Sequence, residues 1–376
     1  MNQLESVLVD TAASTLPVNG VQSFVRNTTR RTLGLPPALG VRPTALGRVR
    51  QASYIAPCPP GRRPFSPPKP LRALVAGSGS ASMSNPWIAS KVVELTELPA
   101  EDVKLLYLGT PTYDIAKSRT KQTREFSRMG VQVSWLEVAN KDPNYEEMER
   151  MVEEAHIILV SGGNTLYAVD RWRHLGLDVL LREAAYNGKV MAGGSAGALC
   201  WFDSGHSDSM DPETYRLEFL RRDGRREENK KSSRGNPKDW EYVRVEGLSI
   251  LPGFCCPHYD KTQSNGKLRM DDFDEMMKNS PIELGLGIDH NAALQVDGDS
   301  FKVWSIPGEK GSVPGDEDES VPGVWLKWVD EDGLVKSKVC PSRGKLGDLL
   351  QCVDEPEKCW SDSRLAEARN QNPIFR

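Results

Sequence analysis

From Leu71 onward the hydrophobic positions fall into short continuous runs, separated by stretches in which they recur every three or four residues. The runs are "LRALVAG" (71–77), "VKLLYLGT" (103–110), "VQVSWLEV" (131–138), "HIILVSGGN" (156–164) and "KVMAG" (189–193). Short apolar runs bounded by turn residues read as strands buried on both faces. The intervening segments carry the helical period: 85–98, 113–130, 144–155, 165–174 and 177–188. Asn85 followed by Pro86 is an N-cap signature, and Gly130 a stop signal. Strands alternating with helices predict an α/β fold with a mostly parallel sheet and helices on both faces. In such sheets ligands bind beyond the carboxyl ends of the strands, where "SGGN" and "GGSAG" fall.

The rest of the chain is less regular. "LSILPGFCCPHYD" (248–260) is a further apolar run, a helix is expected around 271–278, and "GLGIDHNAALQV" (285–296) reads as one strand. "GVWLKWVDEDGLVKSKVC" (323–340) predicts a C-terminal β-hairpin turning at Glu331-Asp332-Gly333. Residues 211–240 are charge-dense and poor in aliphatics, as a surface insertion would be. The expected organisation is an extension over 1–70, one domain over 71–340 carrying that insertion, and a peripheral tail over 341–376.

Charge changes the picture at the N-terminus. Residues 1–72 hold ten Lys/Arg against two Asp/Glu, a net +8, and eleven of the 26 prolines. A segment so poor in apolar surface cannot offset its ordering entropy and is expected to be disordered. It reads either as an organelle transit peptide or as a plain extension, so the expected compartment is the cytoplasm, or an organelle if the segment is a transit peptide. Its arginines lack interleaved aromatics and the remainder is acidic, which argues against nucleic acid as a partner. No apolar run approaches a membrane span. Seven cysteines without CxxC spacing argue against a disulfide framework and against a zinc site. No metal or cofactor is called for.

Gly193-Gly194-Ser195-Ala196-Gly197 fits G-x-S-x-G in the required setting, a strand before it and a helix after it. Such a turn presents a serine hydroxyl to the cleft, with the Ala196 amide turned toward a developing oxyanion; alternatively the glycines serve only close packing. A P-loop is excluded, because no Gly-Lys-Ser/Thr follows. A nucleophilic serine needs a base, and the chain has five histidines. His156 and His174 read as structural or solvated, and His206 as part of a loop leaving the helix. His258 in "CCPHYD" is the best-placed base and His290 in "GIDHNAAL" the second. The orienting acid is open between Asp208 in "GHSDS" and Asp289. In "SGGNT" (161–165), Gly162 or Gly163 could add an oxyanion donor, or Asn164 or Thr165 could simply cap a helix.

In this order and spacing, "SGGNT", "GGSAGALCWF", "GHSDS", "PHYD" and "GIDHNAAL" resemble the dipeptidase E / cyanophycinase family of serine peptidases, over about Leu71 to Ile306. The resemblance implies a class I glutamine amidotransferase-like fold with serine at the elbow. It implies Ser195 as nucleophile, His258 as general base, and the Gly163 and Ala196 amides as oxyanion hole. Asp208 matches the dipeptidase E aspartate. The cyanophycinase branch takes a glutamate from an "IDE"-like motif, which here reads "IDH", so His290 stands at that glutamate's position. The implied substrate is a small peptide, with N-terminal aspartyl dipeptides among those the family favours, and a homodimer is a compatible assembly. Amidase or esterase chemistry on the same elbow, or an inactive binding homologue, are the alternatives.

Overall fold

The computed structural model describes residues 58, 60–211, 239–315 and 319–371. Residues 1–57 and 59 of the expected disordered extension and 212–238 of the insertion lie outside the described residues, but Arg62–Pro64, within the extension, is a strand paired with Gln351–Val353 rather than disordered.

Five strands form in the order expected: β1 (Arg72–Ala76), β2 (Lys104–Leu108), β3 (Gln132–Leu136), β4 (Ile157–Val160) and β5 (Val190–Gly194). They are parallel, in the spatial order β1-β5-β4-β2-β3. Successive side chains point to opposite faces. Leu74, Ala76, Leu105, Tyr107, Ile157 and Leu159 therefore enter one core cluster, with the helices Pro86–Glu94 and Ala116–Arg128. Ala73, Val75, Leu106, Leu108, Ile158 and Val160 enter the other, with the helices Tyr145–Glu154, Thr165–Leu175 and Leu177–Tyr186. Each fully buried Leu or Ile contributes about 1.5–3 kcal/mol, so this two-sided burial fixes the parallel sheet. The predicted cap is present: Asn85 Oδ1 accepts from the Trp87 and Ile88 amides, with Pro86 in the first helical position.

Beyond Ser195 the helix is a single turn, Ala196–Leu199, and the chain enters β6 (Phe202–Ser207). "GHS", expected in a loop, is thus the end of a buried strand. It pairs antiparallel with β7 (Val243–Glu246) and parallel with β8 (Leu251–Cys256). β8 pairs parallel with β9 (Gly285–Ile288). The stretch read as one strand is two: after Asp289-His290-Asn291 the chain starts β10 (Ala292–Asp297), which pairs antiparallel with β1 in the first sheet. β11 (Ser300–Ser305) follows, also antiparallel. Val324–Val329 (β12) pairs antiparallel with β9 and with Val335–Val339 (β13), and Arg343–Lys345 (β14) pairs with β11. The result is an eight-stranded sheet, parallel in its centre, and a mixed six-stranded sheet. The step from Ile288 to Ala292 carries the chain from the second sheet to the first, and its residues lie beside the end of β1.

Residues 341–371 are stitched to this body. Leu346, Leu349 and Leu350 enter the main core, and Gln351–Val353 pairs with Arg62–Pro64.

Candidate active site

Three loops meet at the carboxyl ends of the adjacent strands β1, β5 and β4. After β1 comes Gly77-Ser78-Gly79, after β5 Ser195, and after β4 Ser161-Gly162-Gly163-Asn164. Their approach is as close as backbones allow. A Cβ on Gly194 would lie 1.9 Å from the Ser78 carbonyl oxygen, and one on Gly79 would lie 2.8 Å from Gly162 Cα. Only glycine fits there.

Ser195 has φ 57° and ψ −120°, a strained combination for a residue with a side chain. Its amide donates to Ala76 O at 3.1 Å, which holds the turn against β1. The residue is 7% exposed and lies against the second glycine turn: a Cβ on Gly162 would be 3.4 Å from Ser195 Cβ. Gly163 has φ 127°, and a Cβ there would sit 2.3 Å from Pro111 O. Among the described residues neither the Gly163 nor the Ala196 amide has a hydrogen-bond acceptor. Asn164 caps the following helix through the Tyr167 amide, at 2.9 Å, as the helix-cap reading of "SGGNT" expected. Its Nδ2 also donates to Tyr113 Oη and to Ser209 O, which ties the turn to the segment carrying Asp208.

His258 arrives from β8 and is itself left-handed, at φ 52°. Its amide donates to Gly77 O at 3.0 Å, one residue from the carbonyl that holds Ser195. Tyr259 N donates to Ile288 O, which places the end of β9 and His290 against the same loop. The His258 and His290 rings meet through their Nδ1 atoms, 2.7 Å apart. Asp260 Oδ1 accepts from the His290 amide at 2.7 Å.

Asp208 lies next to His258 electrostatically but is hydrogen-bonded to Arg269, whose Nη1 donates at 3.2 Å. Burial pushes the Asp208 carboxyl up. The Arg269 guanidinium outweighs this, aided by His258 and a hydrogen bond from Gln263, and leaves it below its ordinary value and ionised. Burial, then Arg269, hold the His258 imidazole well below its ordinary value, so the ring is neutral near pH 7. Asp289 is occupied elsewhere. Its oxygens accept from Ser312 N, Ser312 Oγ and Gly323 N at 2.7–3.0 Å, an anchor for the loop after β11.

The other histidines take no part. His206 is fully buried, its Nε2 2.9 Å from Asp272 Oδ1 and its ring packed at a tilt against Tyr242. His156 Nδ1 accepts from the Lys104 amide, and His174 is exposed at a helix end. Two contributors escaped the sequence reading. The "GSGS" after β1 had a visible glycine signal. Arg269, in "KLRMDDF", had none, because only tertiary burial distinguishes it from a surface arginine.

A strained serine at a strand–helix turn, two nearby backbone amides without an acceptor among the described residues, and a neutral imidazole whose loop is bonded to the same strand end define the class of protein as a hydrolase of the serine type. Comparison with known proteins makes this specific. The profile of Peptidase family S51 matches residues 74–219 and 226–304, more than half of the chain, so the chain belongs to that family and is a serine peptidase. A Bacillus subtilis protein, the uncharacterized peptidase YgaJ, is 28% identical over 225 residues, covering 60% of this chain and 83% of its own. A Trypanosoma brucei brucei protein named G2/mitotic-specific cyclin-1 is 29% identical over 266 residues, 67% of this chain and 77% of that one. Among solved structures, a peptidase from an acI-B1 actinobacterium aligns with TM-score 0.49 and 18% identity, over 75% of this chain and 99% of its own.

Among the described residues no helix is long and apolar enough to cross a membrane, and no group of His, Cys, Asp and Glu is placed to hold a metal ion.

Proposed function

We propose that the protein hydrolyses small peptides by acyl transfer, in the manner of dipeptidase E, with Ser195 as nucleophile, His258 as general base and Asp208 as the charge that supports the imidazolium. One observation carries the reading: Ser195 is held at φ 57° by its bond to Ala76 O, one residue from the carbonyl that holds His258. Strain of this kind costs about 1–3 kcal/mol, and a chain retains it where function requires it.

In the first half-reaction His258 Nε2 takes the Ser195 proton while Oγ bonds to the peptide carbonyl carbon. The carbonyl electron pair moves to oxygen, which the Gly163 and Ala196 amides receive; each such donor is worth about 3–4 kcal/mol. Collapse of the tetrahedral adduct breaks the C–N bond, and His258 returns the proton to the leaving amine. Water, deprotonated by His258, then attacks the acyl-enzyme, and the acid leaves as Ser195 Oγ is reprotonated. Arg269 is already engaged by Asp208 and by the His206 carbonyl, so it serves the site by keeping Asp208 ionised.

Labelling by a fluorophosphonate probe, and hydrolysis of a dipeptide library with and without N-terminal aspartyl members, test the reading. Wild type should label and should cleave a subset of dipeptides, whereas Ser195→Ala should do neither. Equal labelling of the two proteins would overturn the assignment of Ser195.

A further inference from the structure

The hydrogen-bond partner of the base is a second base. His258 Nδ1 faces His290 Nδ1 at 2.7 Å, with the ring centroids 4.8 Å apart. Among the described residues no carboxylate is hydrogen-bonded to the His258 ring. Asp208 is taken by Arg269, Asp289 by Ser312 and Gly323, and Asp260 by the His290 amide. We propose that His290 is the positioning residue of the site, a neutral imidazole that does for His258 what a carboxylate does in a Ser–His–acid triad.

The proton between the two rings decides this. A general base must present a lone pair at His258 Nε2, so the His258 proton must sit on Nδ1. It can sit there only if His290 offers a lone pair at its own Nδ1, which means His290 carries its single proton on Nε2. Orientation and charge are then divided. His290 fixes the tautomer and the ring plane, and ionised Asp208, close but committed to Arg269, supplies the negative field that the imidazolium needs. The His290 backbone is itself fixed, because its amide is held by Asp260 and it lies on the short crossing between the two sheets.

This arrangement fails at low pH in a particular way. A protonated His290 has hydrogen on both nitrogens and can no longer accept from His258, so the first proton taken up by the pair removes the base. The groups facing the pair are Lys261, Asp260 and Glu309 around His290, and Arg269, Asp208 and Lys261 around His258. Burial and Lys261 make His290 harder to protonate than an ordinary imidazole, and burial and Arg269 do the same for His258. Below the ordinary imidazole range the site switches off as a unit.

The inference rests on the Ser195–His258 reading, and the experiment separates the two. The second-order rate constant of fluorophosphonate labelling is measured against pH for wild type, Ser195→Ala, His290→Phe and His290→Glu. His290→Phe should label about a hundredfold or more slowly at pH 7, the scale of a lost general base. His290→Glu should restore most of the rate. Its acidic limb should move to higher pH than in wild type, because a carboxylate stabilises the His258 imidazolium. A His290→Phe protein that labels within twofold of wild type, while Ser195→Ala does not label, overturns the role of His290 and leaves the serine mechanism standing. If His290→Phe does not fold, the Glu variant decides: an unmoved acidic limb overturns the proposal and an upward shift supports it. Labelling of Ser195→Ala at the wild-type rate overturns both readings.

Discussion

One of the two tightest backbone approaches at the site, that of Gly194 to Ser78, makes the sharpest prediction. Replacing Gly194 by Ala puts a methyl group 1.9 Å from Ser78 O, 2.6 Å from Ser78 C and 3.1 Å from Gly79 Cα. All three are backbone atoms, so no side chain can rotate away. Ordinary contact begins near 3.4 Å, so the Gly77–Gly79 segment must retreat by about 1.5 Å. That segment accepts the His258 amide at Gly77 O and adjoins Ala76 O, which accepts the Ser195 amide. Overpacking costs about 1–3 kcal/mol, and each disturbed hydrogen bond about 1 kcal/mol. The expected loss is therefore about 3–5 kcal/mol. At about 2 °C per kcal/mol for a domain of this size, the melting temperature should fall by roughly 6–10 °C. The comparison is Gly298→Ala: at φ 60° with nothing within 4 Å of the new methyl, it isolates the left-handed penalty. That variant should lose only about 1–2 kcal/mol and label normally. Scanning calorimetry and fluorophosphonate labelling check both proteins. A Gly194→Ala protein that melts within 1 °C of wild type and labels at the wild-type rate would refute the argument that strand-end backbone contact sets the serine's position.

Other measurements reach beyond the elbow. Buried Arg244 donates twice to buried Glu283, at 3.0 and 2.7 Å, and Ser204 adds a third bond at 2.8 Å. Arg244→Met should destabilise by about 3–5 kcal/mol by stranding a buried carboxylate, and Arg244→Met/Glu283→Leu by much less; additive single effects in urea unfolding would contradict this. His206 is held neutral, its value pushed down to about 4 mainly by burial. Because the unfolded imidazole takes up its proton near 6.5, stability present above that pH should fall as pH drops from 6.5 to 4, by about 3 kcal/mol in all. His206→Phe should flatten that slope, and an unchanged pH dependence in thermal unfolding would count against the buried neutral ring.

Most of the scaffold was legible. Short continuous apolar runs bounded by turn residues read as strands covered on both faces, so β1, β2, β4 and β5, the helices between them and the position of Ser195 followed from local pattern. Asn85, Pro86 and Gly130 act within one turn of the chain, so they too could be read. Pattern ran out where partners are distant. "GLGIDHNAALQV" is mostly apolar on either side of "DHN", and nothing local says that Ile288 ends in one sheet and Ala292 begins in another. "GHS" looked like loop because its strand is short and polar; its burial comes from Tyr242, Phe273 and Arg269, all more than thirty residues away.

The amino-acid sequence by itself determined that a small-residue turn would present Ser195 at a strand–helix junction, with His258 and His290 as the imidazoles to consider. The tertiary structure decided which groups touch. It gave Asp208 to Arg269, Asp289 to the Ser312–Gly323 loop, and the Nδ1 of His258 to His290. The physical reason is that hydrogen bonds select by sub-ångström distance and direction. Here those are set by how two sheets meet at Gly77, a contact between strands far apart in the chain that no local pattern encodes.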